Sequence, residues 1–151
     1  MAKSSPYYFH KQSLTVAVQA ASLRGVFPDS QVTLTQNVSL TWIGKLQPSA
    51  LSDCYKLKIK YRLKDRPQVT VLEPPLRPRA DERLPHVFKG NELCLFRYKY
   101  FEWDSTMPIV DTIVPWASLW LFHYEIWRVT GIWCGSKAEH PRDDEDKKIS
   151  E

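Results

Sequence analysis

The segment 84–96 reads Leu84-Pro85-His86-Val87-Phe88-Lys89-Gly90-Asn91-Glu92-Leu93-Cys94-Leu95-Phe96, placing one thiol in an apolar, strand-like run eight residues after a histidine. Acyl transfer through cysteine needs a thiol that can become a thiolate, and a donor or base near the developing oxyanion. Cys94 is the candidate nucleophile and His86 its candidate helper, with Asn91, three residues before the thiol, as a second candidate donor. A structural reading stands beside each. A free cysteine is often simply a small apolar core residue, and His86 can cap the loop by hydrogen bonding. Two rival thiols exist: Cys54 just ahead of a strand, and Cys134 between Trp133 and Gly135, the stronger of the two. Three cysteines at wide spacings fit neither a disulfide framework nor a zinc site with close ligand pairs, so a reducing, cytoplasmic setting is expected. No Gly-rich phosphate loop, His-Glu zinc helix or paired-carboxylate site stands out, so no cofactor and no metal are expected.

The elements that must position these residues can be read from periodicity. Leu14, Ala17, Val18 and Ala21 recur at helical spacing, which predicts a helix over 13–23 stopped by Gly25 and Pro28. From Val32 to Leu46 apolar and hydroxyl residues alternate as in half-buried strands. Tyr55, Leu57, Ile59, Tyr61 and Leu63 alternate with Lys56, Lys58, Lys60, Arg62 and Lys64, the clearest two-residue period in the chain. Gln68 to Leu72 is the next strand, ended by Glu73-Pro74-Pro75-Leu76-Arg77-Pro78 because prolines cannot continue a ladder. Beyond the cysteine segment come an aromatic, irregular stretch from Tyr98 to Pro108 and a helix near Trp116 to Thr130 stopped by Gly131. This order is an α+β layout with the helices segregated from an antiparallel meander.

At 151 residues the chain is the size of one domain, able to bury roughly 70% of the surface its unfolded form exposes. The expected division is a domain over 1–141 and a charged, disordered tail over 142–151. No secretory signal is read at Met1 to Pro6. The most apolar window, Ile113 to Trp127, holds His123 and Glu125 and is too short and polar to span a membrane of roughly 30 Å, so no membrane partner is expected. A helix this rich in Trp and Tyr is read as core rather than as a binding platform. The formal net charge of +4 is mild. The basic run Lys56, Lys58, Lys60, Arg62 raises the question of nucleic acid, but strand alternation puts Tyr55 and Tyr61 on the opposite face, so they cannot form a stacking groove with the lysines. Nucleic acid is therefore an unlikely partner, and a solvated sheet face or a partner-docking surface is the better reading.

The cysteine segment resembles the ubiquitin-conjugating (UBC) fold. In that family a His-Pro-Asn motif precedes the active-site cysteine by eight residues, and a tryptophan follows about eight further on. Here Leu84-Pro85-His86, Leu93-Cys94-Leu95 and Trp103 occupy those places, with His86 where the asparagine would be. The resemblance covers about residues 12 to 134. The later run Thr112 to Trp116, Trp120-Leu121, Tyr124 to Trp127, Thr130 to Trp133 and His140 resembles the bacterial branch found in anti-phage CBASS operons, here of the stand-alone type. The resemblance implies a thioester between Cys94 and the C-terminus of a partner, the operon's cyclic-oligonucleotide synthase, and transfer to a lysine. It also implies that whatever replaces the asparagine matters, since losing one oxyanion donor costs about 2.7–4 kcal/mol in the barrier. His140 either folds back on the site or is solvated. The alternative is an inactive module of the same fold that binds the partner's C-terminal tail. A single-stranded nucleic-acid binder using the basic strand is the reading from another class.

Overall fold

The computed structural model describes residues 11–96 and 102–135. The elements run α1 (Val16–Val26), β1 (Gln31–Thr35), β2 (Ser39–Leu46), β3 (Tyr55–Arg62), β4 (Gln68–Glu73), β5 (Val87–Phe88), β6 (Glu92–Leu93), a 3-10 turn at Ile109–Asp111, and α2 (Ile113–Thr130). Strands β1 to β4 form one antiparallel sheet in chain order, and β5 and β6 form a separate hairpin. This is the α+β order expected for a UBC-like fold. The expected domain boundary at 141/142, the tail and His140 lie outside the described residues, as do Tyr98 to Phe101 of the aromatic stretch.

β3 shows why the sheet forms. Tyr55, Leu57, Ile59 and Tyr61 are at most 2% exposed, whereas the intervening Lys56, Lys58, Lys60 and Arg62 reach water. A side-chain period of two leaves only this choice of faces. The alternating run 32–46 breaks into two strands because Gln36 and Asn37 adopt φ of 51° and 55°, and the Val38 N–H donates to the Thr35 carbonyl at 3.0 Å. Positive φ at both central residues is the tight turn that matches the right-handed twist of paired strands. On the inner face Trp42 is fully buried, donates from Nε1 to Ser30 Oγ at 2.9 Å, and meets the Phe27 ring edge-on.

The helices differ from their sequence-based outlines. Gly25 lies inside α1 rather than ending it, the Phe27 N–H still bonds to the Leu23 carbonyl, and the chain leaves the helix before Pro28. The face expected from Leu14, Ala17, Val18 and Ala21 is not the buried one: Val18 is 46% exposed, while Val16, Gln19, Ala20 and Leu23 are buried. The two sets share one period and differ by a rotation, and a glutamine in the buried set hides it from a hydropathy reading. Gln19 belongs inside because both ends of its amide are satisfied. Nε2 donates to the Met107 carbonyl at 2.9 Å, and Oε1 accepts the Ile109 N–H at 2.8 Å. Helix α2 starts at Ile113, three residues before the expected Trp116, because Pro115 falls in the first turn, where backbone N–H groups have no intrahelical acceptor anyway. It ends as expected at Gly131, in the left-handed region with φ of 77°.

Gln19→Leu should lower stability by about 2–4 kcal/mol, since it strands one buried donor and one buried acceptor, whereas Val18→Ala on the exposed face should stay within about 0.5 kcal/mol. Urea unfolding of the two variants beside the wild type checks this; equal losses would put the wrong face in the core.

Candidate functional site

The cysteine segment has little regular structure, so its position depends on a few bonds. Gly90 and Asn91, with φ of 79° and 58°, turn the chain between β5 and β6. The Cys94 N–H donates to the His86 carbonyl at 2.9 Å, closing the hairpin behind the thiol. The same carbonyl accepts Trp120 Nε1–H from α2 at 3.0 Å, so one oxygen joins the cysteine strand to the long helix. On the other side, Arg66 from the β3–β4 turn forms a two-point ion pair with Glu92 and lies over the Phe88 ring, 4.6 Å from its centroid. Burial pushes the Glu92 carboxyl up, and Arg66 opposes that. Trp103, buried against Tyr61 and donating to Thr112 Oγ1 at 3.0 Å, pins the stretch that leads into α2.

These restraints frame a cavity of about 430 Å3 whose lining includes Cys94, His86, His123, Glu102 and Trp133, a volume within the range of small-ligand sites. Cys94 is half-buried, with Sγ directed to the Phe96 carbonyl at 3.8 Å. Trp133 touches both imidazoles, its ring centroid 4.9 Å from His86 and 5.8 Å from His123. His86 takes up φ of 50°, a conformation that few residues other than glycine adopt. Nδ1 of His123 is buried with no hydrogen-bond partner among the described residues. Gly135 closes one wall: a β-carbon there would overlap the Trp133 indole nitrogen and stand 3.2 Å from His123 Cδ2.

The apolar walls set the electrostatics. Burial pushes the Cys94 thiol up to about 11; Arg66 pulls the other way, and Glu92 and Glu102 add to the rise. At neutral pH the group is therefore a thiol, and nucleophilic work requires a base to take its proton.

Of the residues singled out in the sequence, Cys94 and His86 share this cavity. Asn91 does not line it; it is exposed in the hairpin turn, where its tolerance of left-handed backbone accounts for its presence. Cys54 and Cys134 are exposed. His123 and Glu102 were not apparent as site residues. Glu102 sits in an irregular stretch, and His123 sits in a helix that reads as core; its one sequence signal was being an imidazole inside the most apolar window. Among the described residues no group of three or more His, Cys, Asp and Glu side chains is placed to hold a metal ion, and no helix is long and apolar enough to cross a membrane.

A leading helix, a four-strand meander, a cysteine directly after a short hairpin and a closing helix define a protein of the ubiquitin-conjugating fold class. The family model described as Type II CBASS E2 protein matches residues 19–141, and the chain belongs to that family, whose systems defend against phage. No curated protein matches the chain.

The raised thiol predicts slow chemistry with alkylating reagents. Iodoacetamide should modify exposed Cys54 and Cys134 first, and the rate at Cys94 should climb roughly tenfold per pH unit between about pH 8 and 10. Peptide mapping by mass spectrometry follows each site; Cys94 reacting as fast as Cys54 near neutral pH would contradict the burial argument.

Proposed function

We propose that this protein is an active conjugating enzyme in which Cys94 carries an acyl group, the C-terminus of a partner protein, as a thioester. The observation that supports this reading is one cavity holding the thiol together with two imidazoles. In the first step a Cys94 Sγ–carbon bond forms to the activated acyl carbonyl, the bond to its leaving group breaks, and the thiol proton passes to a base. His123 is the candidate base, because its buried Nδ1 has no partner among the described residues and a ring nitrogen can take up a proton. In the second step a lysine amine attacks the thioester, the carbon–nitrogen bond forms, and the sulfur leaves as the regenerated thiol. His86, at the position that holds asparagine in the wider family, is the candidate donor to the oxyanion of both steps. Asn91, outside the cavity, is the less favoured donor. The partner that the family resemblance implies is the operon's cyclic-oligonucleotide synthase, met in the cytoplasm through its C-terminal tail. No cofactor enters this scheme.

One observation favours a second reading, an inactive module that only holds the partner's tail: burial disfavours the thiolate on which the chemistry depends.

Intact-mass measurement after co-expression with the operon's other proteins, under denaturing, non-reducing conditions, separates the two. Wild type should carry a thiol-labile adduct of protein size, and Cys94→Ala, which should fold at a cost of about 1–2 kcal/mol, should carry none. His123→Gln should slow adduct formation by about 100-fold or more. No adduct in either protein, with a stable native complex, would establish the binding module instead.

A further inference from the structure

We propose that Arg79, which stands outside the cavity at Cys94, is a positioning residue for its two histidines: by capping the end of α2 it fixes the turn that delivers Trp133 against His86 and His123. In its bearing on catalysis this deepens the reading of Cys94 as nucleophile and rests on it; the placement itself does not.

A helix leaves its last four carbonyls without intrahelical partners. Arg79, half-buried at the end of the proline-rich loop, donates from Nη1 to two of them, those of Trp127 and Arg128, at 3.2 and 2.9 Å. Its charge suits the negative end of the helix dipole. Arg128 returns the exchange, donating from Nη1 to the Arg77 and Pro78 carbonyls at 3.3 and 2.9 Å, and the Tyr124 hydroxyl accepts the Arg77 N–H at 2.8 Å. Loop and helix end are thus bonded in both directions.

The chain leaves this capped end through Gly131, at φ of 77°, whose N–H donates to the Trp127 carbonyl at 2.8 Å. The Arg79 guanidinium occupies the space where a side chain would start there, with Nη2 3.2 Å from the place of a β-carbon. Thr130 Oγ1 then accepts the Ile132 N–H at 3.1 Å. Next comes Trp133, its ring centroid 4.9 Å from His86, 5.8 Å from His123 and 5.3 Å from Trp120. Gly135 lies so close to the same indole that a β-carbon would overlap it. The segment 131–135 is therefore held at its start by Arg79 and at its end by the ring it delivers. Losing the cap frees that ring, and with it the wall that both imidazoles and the thiol share.

The test compares wild type, Arg79→Met, Gly131→Ala and the core variant Gln19→Leu. Both readouts are taken on the full chain without a partner, so neither depends on whether a thioester forms: the His86 and His123 ring signals in proton–carbon NMR spectra, and the pH profile of iodoacetamide modification at Cys94. Arg79→Met keeps the stem and removes the donors. It should move both histidine signals in the direction that Trp133→Leu moves them. It should also admit water beside a thiol that burial pushes up to about 11, and so speed modification of Cys94 near pH 8 about tenfold. Gly131→Ala, which drives a β-carbon against the guanidinium and strains the turn, should show the same signature, and it serves as the second variant if Arg79→Met does not fold. Combining the two should add little, because both release one turn. Gln19→Leu should lower the melt and leave both readouts as in wild type. A lower melt for Arg79→Met with both readouts unchanged would make Arg79 a stabilising cap and nothing more, and the same signature in Gln19→Leu would reduce it to general loosening; either result overturns the proposal.

Discussion

The two-residue period of β3 is the constraint on which the rest of this molecule depends. With Tyr55, Leu57, Ile59 and Tyr61 buried, the strand must lie at the centre of a sheet whose one face is core. Its neighbours β2 and β4 then take their registers from it, and the two helical segments cover the inner face. Slipping β3 by one residue would exchange its buried Tyr, Leu and Ile for lysine and arginine, so its pattern decides which face is core and at the same time puts Lys56, Lys58, Lys60 and Arg62 on the other side. The core and the basic face are two consequences of one alternation.

The site is built differently. It stands on individual hydrogen bonds rather than on ladders, and the His86 carbonyl is the point where they meet, accepting from Cys94 on one side and from Trp120 on the other. The Arg66–Glu92 pair, partly buried and stacked on Phe88, holds the hairpin from the direction of the sheet. Gln19 does comparable work at a distance, since its amide ties α1 to the turn that leads into α2. The cavity is therefore held by few polar contacts, of which the Arg66–Glu92 pair and the Trp120 hydrogen bond involve aromatic side chains.

The same shielding creates a tension at Cys94. Tryptophan and phenylalanine side chains line the cavity, yet burial among them pushes the thiol away from the thiolate that acyl transfer needs. A resting thiol that ionises only when a base and a partner are in place would be protected from adventitious alkylation and oxidation. Two imidazoles in contact with Trp133 line the same cavity.

The strand pattern of β3, the closing glycine of α2 and the pairing of a cysteine with a histidine eight residues earlier were legible in the residues alone, because each is a local signal: a period, a backbone preference, a spacing. The buried face of α1 was not, because two rotations of one helix have equal periodicity and only the carbonyl of Met107 and the N–H of Ile109, some 88 and 90 residues away, make Gln19 an inside residue. Asn91 read as a possible donor from its distance to Cys94 along the chain, but a hairpin turn sends it outward; nearness in sequence says little where φ turns positive. His123 entered the cavity unannounced, since a helix delivers one side chain in three or four to a given surface and which surface is decided by packing. The sequence by itself determined the alternating strands of the sheet and the thiol, but neither the turn at Gln36 and Asn37 nor the β5–β6 hairpin. The tertiary structure alone decided which groups surround that thiol and how deeply it is buried, because those depend on contacts between segments far apart in the chain that no local pattern encodes.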